Sequence, residues 1–161
     1  MADSKPVAIT AVDIAARTTT VYPPQYAGPL KGREKRALGD VFNLSQFGVH
    51  LTVLQPGASS SERHWHRIED EFIYVLDGEI TLADDAGEHR LTAGMCAGFK
   101  AGVANGHKLT NKTAAPVTYL EIGTRSADEI ATYPDADMIG IKENGTFRFT
   151  RRDGTPYPPA T

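Results

Sequence analysis

The stretch Gly57–Gly78, GASSSERHWHRIEDEFIYVLDG, decides how the rest of the chain is read. It sets two histidines, His64 and His66, one residue apart. On a β-strand alternate side chains share a face, so both imidazoles can point at one spot. On a helix the same pair would diverge by roughly 200° and could not grip one ion. Glu71 follows, a carboxylate entering the apolar run Phe72-Ile73-Tyr74-Val75-Leu76. Its odd separation from His66 means that one continuous strand cannot carry both on the same face, so a turn or bulge is expected through Arg67–Asp70. A carboxylate on an otherwise apolar strand is costly without a partner, and a metal ion is such a partner. A third histidine, His107, lies in the later stretch AGVANGHKLTN. Three imidazoles and one carboxylate form a mixed N/O set suited to one divalent transition metal such as Mn, Fe, Ni, Zn or Cu.

Outward from that stretch the signals are those of strands. Gly48–Gln55 (GVHLTVLQ) is rich in β-branched and large apolar residues and is closed by Pro56-Gly57. Strands are expected over Glu62–His66 and Glu71–Leu76, then through the Asp77-Gly78 hairpin signal into Glu79–Ala83. Others fit Glu88–Thr92, Met95–Phe99, Gly106–Thr110, Val117–Ile122 and Thr146–Thr150. Only Ser126–Ala131 suggests a turn of helix. Many short strands spaced by turn signals indicate an all-β sandwich or barrel. Three parts are expected: residues 1–47 as an N-terminal arm and extended wrapping segment, 48–125 as the barrel core, and 126–161 as a C-terminal extension packed on it. Within the first part, Met1–Arg17 reads as a loosely held arm. The prolines and glycines of Thr18–Gly39 argue against regular structure there. The run Phe72–Leu76 is apolar on both faces, whereas a strand wetted on one side alternates. If Glu71, Ile73 and Val75 face inward, Phe72, Tyr74 and Leu76 need cover, from the Pro-rich arms or from a second subunit; a homodimer is expected.

Composition excludes several classes. The 161 residues make one ordinary domain, 40% apolar and 23% charged. No apolar run approaches the ~20 residues of a membrane span, and no secretory leader is evident, so a cytoplasmic protein is expected. A single cysteine, Cys96, leaves no intramolecular disulfide and no cysteine-rich zinc motif. A formal net charge of −3 lacks the footprint of a nucleic-acid binder. The basic cluster Lys31, Arg33, Lys35 and Arg36 reads as a solvated loop, with contact to an anionic partner as the alternative.

Gly57, His64, His66, Glu71 and Gly78 resemble the first motif of the cupin superfamily, and Gly94, Gly102, His107 and Asn111 resemble the second. Two departures stand in the second motif: Lys100 replaces a usual proline, with the two residues Asn105-Gly106 added before His107, and Met95 replaces a frequent acid. The resemblance covers Gly57–Asn111 and implies a double-stranded β-helix, or jelly-roll, barrel. It places His64, His66, Glu71 and His107 on the four metal-ligand positions. The stretch DEFIYVLDGE and the tail EIGTRSAD…YPDADM are similar to a subgroup of small bacterial cupins, some labelled sugar-phosphate isomerase by weak similarity.

Around those ligands, Glu62 shares strand parity with the two histidines and is the candidate general base. His50, Lys100 and Asn105 are candidate contacts for a small-molecule ligand. Cys96 reads as a buried apolar filler, His89 as exposed and inert, and Trp65 as facing outward into packing. Four protein ligands on an octahedral ion leave about two positions for a substrate with adjacent oxygens, whose carbonyl would be polarised. Isomerisation, epimerisation or elimination on a sugar-like or carbonyl metabolite is the leading expectation. An Fe(II) dioxygenase and a non-catalytic binding or structural metal protein are the alternatives, and a fold shared by many chemistries does not rank them.

Overall fold

The computed structural model describes residues 7–158. Within them the chain runs through β1 (Arg33–Ala37), β2 (Phe47–Leu54), β3 (Trp65–His66), β4 (Glu71–Asp77), β5 (Glu79–Asp84) and β6 (Gly87–Thr92). It continues through β7 (Cys96–Phe99), β8 (Lys108–Thr110), β9 (Val117–Thr124), β10 (Glu129–Tyr133), β11 (Met138–Glu143) and β12 (Thr146–Thr150). A four-residue helix, Leu38–Val41, follows β1. The strands form a five-stranded sheet in the order β1-β2-β9-β4-β7, a four-stranded sheet β12-β11-β10-β3 and a three-stranded sheet β6-β5-β8. This is the expected all-β jelly roll.

Strand β4 shows why the chain closes into a barrel. Ile73 and Val75 are buried, whereas Phe72, Tyr74 and Leu76 are 39%, 39% and 44% exposed. The described parts of the N- and C-terminal arms do not cover that outer stripe. The hairpin after β4 requires a glycine: Gly78 has φ +83°, and a Cβ there would meet Pro116 O at 3.0 Å and Val117 Cα at 3.1 Å. Inside the barrel, Leu54, Val75, Ile80 and Val117 are fully buried in one cluster that also holds Ile73, Leu109 and Tyr119. Each such side chain contributes about 1.5–3 kcal/mol by leaving water. Tyr22, Leu30, Tyr133, Met138 and Phe149 make a second cluster between the N-terminal segment and the C-terminal sheet.

Several expectations are corrected. Part of Thr18–Gly39 is regular after all: Arg33–Ala37 is a strand along the C-terminal part of the β2 edge, Arg33 opposite Leu54 and Ala37 opposite His50. Of the arm expected over Met1–Arg17, residues 1–6 lie outside the described residues; Arg17 makes a bridge to Lys35. Ser126–Ala131 is not helical, because Glu129 already opens β10. Strand β11 was not expected, since Gly140 interrupts its apolar alternation. The gap is filled by Phe147 and Phe149 of the partner strand, whose rings lie where a Cβ would go. Cys96 is exposed rather than a buried filler, because it lies opposite Tyr74 on the outer face.

Candidate metal centre

The backbone brings four side chains from four places in the chain to one spot. His64 and His107 exchange both backbone hydrogen bonds, at 3.1 and 2.8 Å, which ties the segment before β3 to the residue before β8. His66 sits on β3, opposite Ala131 of β10. Between His66 and Glu71 the chain makes the expected turn, and its geometry is set by Glu129. This carboxylate, 1% exposed, accepts from the N–H groups of Arg67 (2.8 Å), Ile68 (3.0 Å), Glu69 (2.5 Å) and Ile130 (2.6 Å). The turn resets the parity, and Glu71 enters β4 pointing inward.

The four groups meet through their outer atoms. Glu71 Oε2 lies 2.7 Å from His107 Nε2, 3.3 Å from His66 Nε2 and 3.8 Å from His64 Nε2. The Nε2 atoms of His64 and His66 are 3.0 Å apart. Ligand atoms of His64, His66 and Glu71 all fall within 4.8 Å of one another, and His107 joins them through Glu71. His64 Nδ1 donates to the Glu62 carbonyl oxygen at 2.9 Å, which leaves its Nε2 lone pair directed at the cluster. Among the described residues the Nδ1 atoms of His66 and His107 are buried without a partner, so those rings too meet polar groups there only through Nε2. His107 stacks on Phe99 at 3.6 Å, and His64 stacks on Tyr133 at 5.4 Å, so each apolar cluster fixes one imidazole plane.

Electrostatics follow from burial. Desolvation pushes the His64 imidazole down to about 3, so it is neutral and available as a donor. Burial also opposes charge on His66, but the Glu71 carboxylate outweighs it and holds that imidazole above its ordinary value. Burial alone would raise Glu71; the hydrogen bonds from His107 and His66 bring it well below the usual carboxylate range. A buried anion surrounded by three imidazole nitrogens is a ready site for a divalent cation, and the donor set fits one. A second group, His66 with Glu69 and Glu129, does not fit. The Glu129 oxygens are filled by backbone amides, and Glu69 Oε1 takes Lys142 Nζ (2.6 Å) and the Ser126 hydroxyl (2.8 Å).

The cluster opens on a cavity of about 190 Å³ lined also by Tyr22, Arg33, Lys35, Ser60, Ser61 and Glu121. A second hollow, about 210 Å³, shares His66, Phe99 and His107 with it and is walled by Trp65, Lys100, Val103 and Asn105. Lys100 and Asn105 therefore lie beside the cluster, although the Asn105 amide is engaged with the Asp85 backbone N–H (2.9 Å) and with Asp84 (3.3 Å). His50 lines neither hollow; burial and then Lys35 push it down to about 4. The Glu62 carboxylate lines neither hollow. It turns to Lys108 Nζ at 3.3 Å, because the residue lies before β3 and strand parity does not extend to it. Besides Glu71, the carboxylate of that cavity is Glu121, ion-paired with Lys35. Sequence reasoning missed Tyr22, Ser60, Ser61, Glu121 and the supporting Glu129, and reads Arg33 and Lys35 first as part of a solvated loop, with contact to an anionic partner only as the alternative. A signal existed for two of them: Arg33 and Lys35 stand at alternate positions, as strand residues sharing a face do.

Residues 50–123 match the family described as Cupin domain. Over 94% of this chain and 96% of the other, the protein is 45% identical, with a TM-score of 0.89, to the crystal structure of a Silicibacter pomeroyi protein described as a sugar phosphate isomerase from the cupin superfamily. The chain is a cupin. A second solved structure, from Acidithiobacillus ferrooxidans and provisionally named a sugar phosphate isomerase, is 30% identical with a TM-score of 0.70, covering 75% of this chain and 77% of that one. The polyketide cyclase RemF from Streptomyces resistomycificus, 21% identical over 73% of this cupin and 78% of its own chain, shares the fold at a TM-score of 0.59. Among curated proteins no relative matches. No described helix is long and apolar enough to cross a membrane.

Proposed function

We propose that this cupin is a metal-dependent enzyme that isomerises, epimerises or eliminates beside the carbonyl of a small oxygenated metabolite, with sugar-like compounds the leading class. The observation that carries this reading is the convergence of His64, His66, Glu71 and His107 on one wall of a polar cavity. The name given to the Silicibacter pomeroyi relative supports the same reaction class. His64, His66 and His107 through Nε2, and Glu71 through Oε2, would hold one divalent transition ion. That ion supplies Lewis-acid polarisation of a carbonyl oxygen. Everything else belongs to the chain. Glu121 is the wall carboxylate within the same cavity and is our candidate for moving the proton, with Lys35 fixing its orientation. Tyr22, whose hydroxyl donates to that of Tyr133 at 3.1 Å, is held neutral by burial and leaves its oxygen to accept from a substrate hydroxyl.

The test is an assay of the Mn- and Zn-loaded protein on small aldoses, ketoses and their phosphates, with and without oxygen. Turnover should survive anaerobically, and Glu121→Gln should lower kcat with metal content unchanged. An oxygen requirement would replace this reading with the dioxygenase one, and protein that binds no metal would remove both. We propose in addition that the cupin is a homodimer closed over the outer face of the five-stranded sheet, where Phe72, Tyr74 and Leu76 are exposed beside Phe47. Leu76→Glu should shift a sedimentation profile from dimer to monomer; a monomeric parent protein would sink the idea.

A further inference from the structure

Strand β1 carries four charged residues, and its register sorts them. Arg33 and Lys35 lie opposite Leu54 and Thr52, both fully buried on the inner face of β2, while Glu34 and Arg36 pair with each other on the outside. The inner two reach the metal-site cavity. Lys35 is matched by Glu121 and Glu71 by its imidazoles, but Arg33 has no carboxylate partner among the described residues. The protein bond made by its guanidinium among those residues is to the Ser60 carbonyl oxygen, at 2.5 Å, out of five available N–H donors. Ser60 and Ser61, their hydroxyls 3.2 Å apart, line the same wall. The cavity's formal charges, two cations and two carboxylates, cancel, so a bound divalent ion leaves it at about +2.

We propose that Arg33, with the Ser60 and Ser61 hydroxyls, is the subsite for an anionic oxygen group, a phosphate or a carboxylate, carried by the substrate. This rests on the reading of the cavity as the substrate site. The planar guanidinium fork matches either anion in a bidentate way. Ser60 is also the residue whose backbone N–H is bound by the Leu109 carbonyl oxygen, two residues along β8 from His107. The subsite and the ligand cluster are thus joined by one stretch of strand, roughly 7 Å apart at about 3.3 Å per residue. That spacing selects a small metabolite whose acid group lies a few atoms from its chelating oxygens.

Calorimetric titration with methyl phosphate and with acetate, on metal-free and Mn-loaded protein, tests the assignment. Arg33→Gln keeps a donor for the Ser60 carbonyl but removes the charge; it should weaken the preferred anion about tenfold or more, the loss of a charge-assisted hydrogen bond. Arg33→Lys should recover part of the affinity, and Lys31→Gln, on the exposed turn before β1, should change nothing. A preference for methyl phosphate identifies a phosphorylated substrate, and one for acetate a carboxylate. Equal affinities in the parent and Arg33→Gln, or no binding of either anion to the parent, would overturn the subsite. Loss of Mn uptake by the parent would instead overturn the metal reading, and the metal-free titration keeps the two failures apart. Melting curves of each variant exclude an effect through folding.

Discussion

Two glutamates sit deep in this molecule and find opposite solutions to the same problem. Glu71 enters an apolar strand and is met by three imidazoles; Glu129, fully buried at the start of β10, is met by four backbone amides. Both are satisfied, as a buried anion must be. Their partners differ in what they leave possible. Amide N–H groups are fixed donors with no other role, so Glu129 is locked as a clamp on the Arg67–Asp70 turn. Imidazole nitrogens can exchange a proton for a metal, so the pocket around Glu71 stays chemically open. Burial of a carboxylate is therefore no mark of function by itself; the kind of partner is.

Exchanging each glutamate for glutamine tests that contrast. Glu71→Gln removes the anionic ligand and should lower affinity for Mn or Zn by more than about 100-fold, exceeding the ~10–100-fold effect of supporting residues. Equilibrium dialysis reads this out, and unchanged metal content would break the contrast at its first limb. His66→Ala should act in the same direction, by about one to two orders of magnitude. Glu129→Gln keeps the shape but weakens the amide bonds, and should cost about 2 kcal/mol of folding stability in urea melts. Because the turn it holds delivers Glu71, metal affinity should fall with it by about tenfold. A stability loss without any metal effect would show the clamp to be only structural.

The smallest effect concerns His50, a histidine outside both arrangements. Its folded value is about 4 against an ordinary 6.5, so between those values the unfolded chain takes up a proton that the folded chain refuses. Its contribution to stability is complete above about 6.5 and is lost as pH falls toward 4. His50→Gln should flatten the pH dependence of the melting temperature in that window and leave metal uptake unchanged. An altered metal content would bring His50 into the site after all.

How much of this was legible in the sequence follows from the same contrast. The HxH spacing, the parity break before Glu71 and the hairpin at Asp77-Gly78 are local features, and a β-sandwich or barrel with Glu71 and three histidines as a metal set could be read from them; the jelly roll itself is what the resemblance of Gly57–Asn111 to the cupin motifs implies. Glu129 was invisible, because a lone acid at the head of EIATY shows nothing of the amides it meets across the fold. Arg33 and Lys35 misled for a related reason: a charged run normally marks a solvated segment. Only the β1–β2 register reveals that every second charge turns inward. Strand parity does not reach back to Glu62, because the chain bends ahead of Trp65, where β3 starts.

Strand β4 carries its site carboxylate and its outward apolar stripe on alternating residues. One inserted or deleted residue between Asp70 and Ile73 would therefore exchange the two faces: an aromatic would fill the cavity mouth and the acid would land among Phe47 and its neighbours. Length variation among relatives of this chain should accordingly spare that segment.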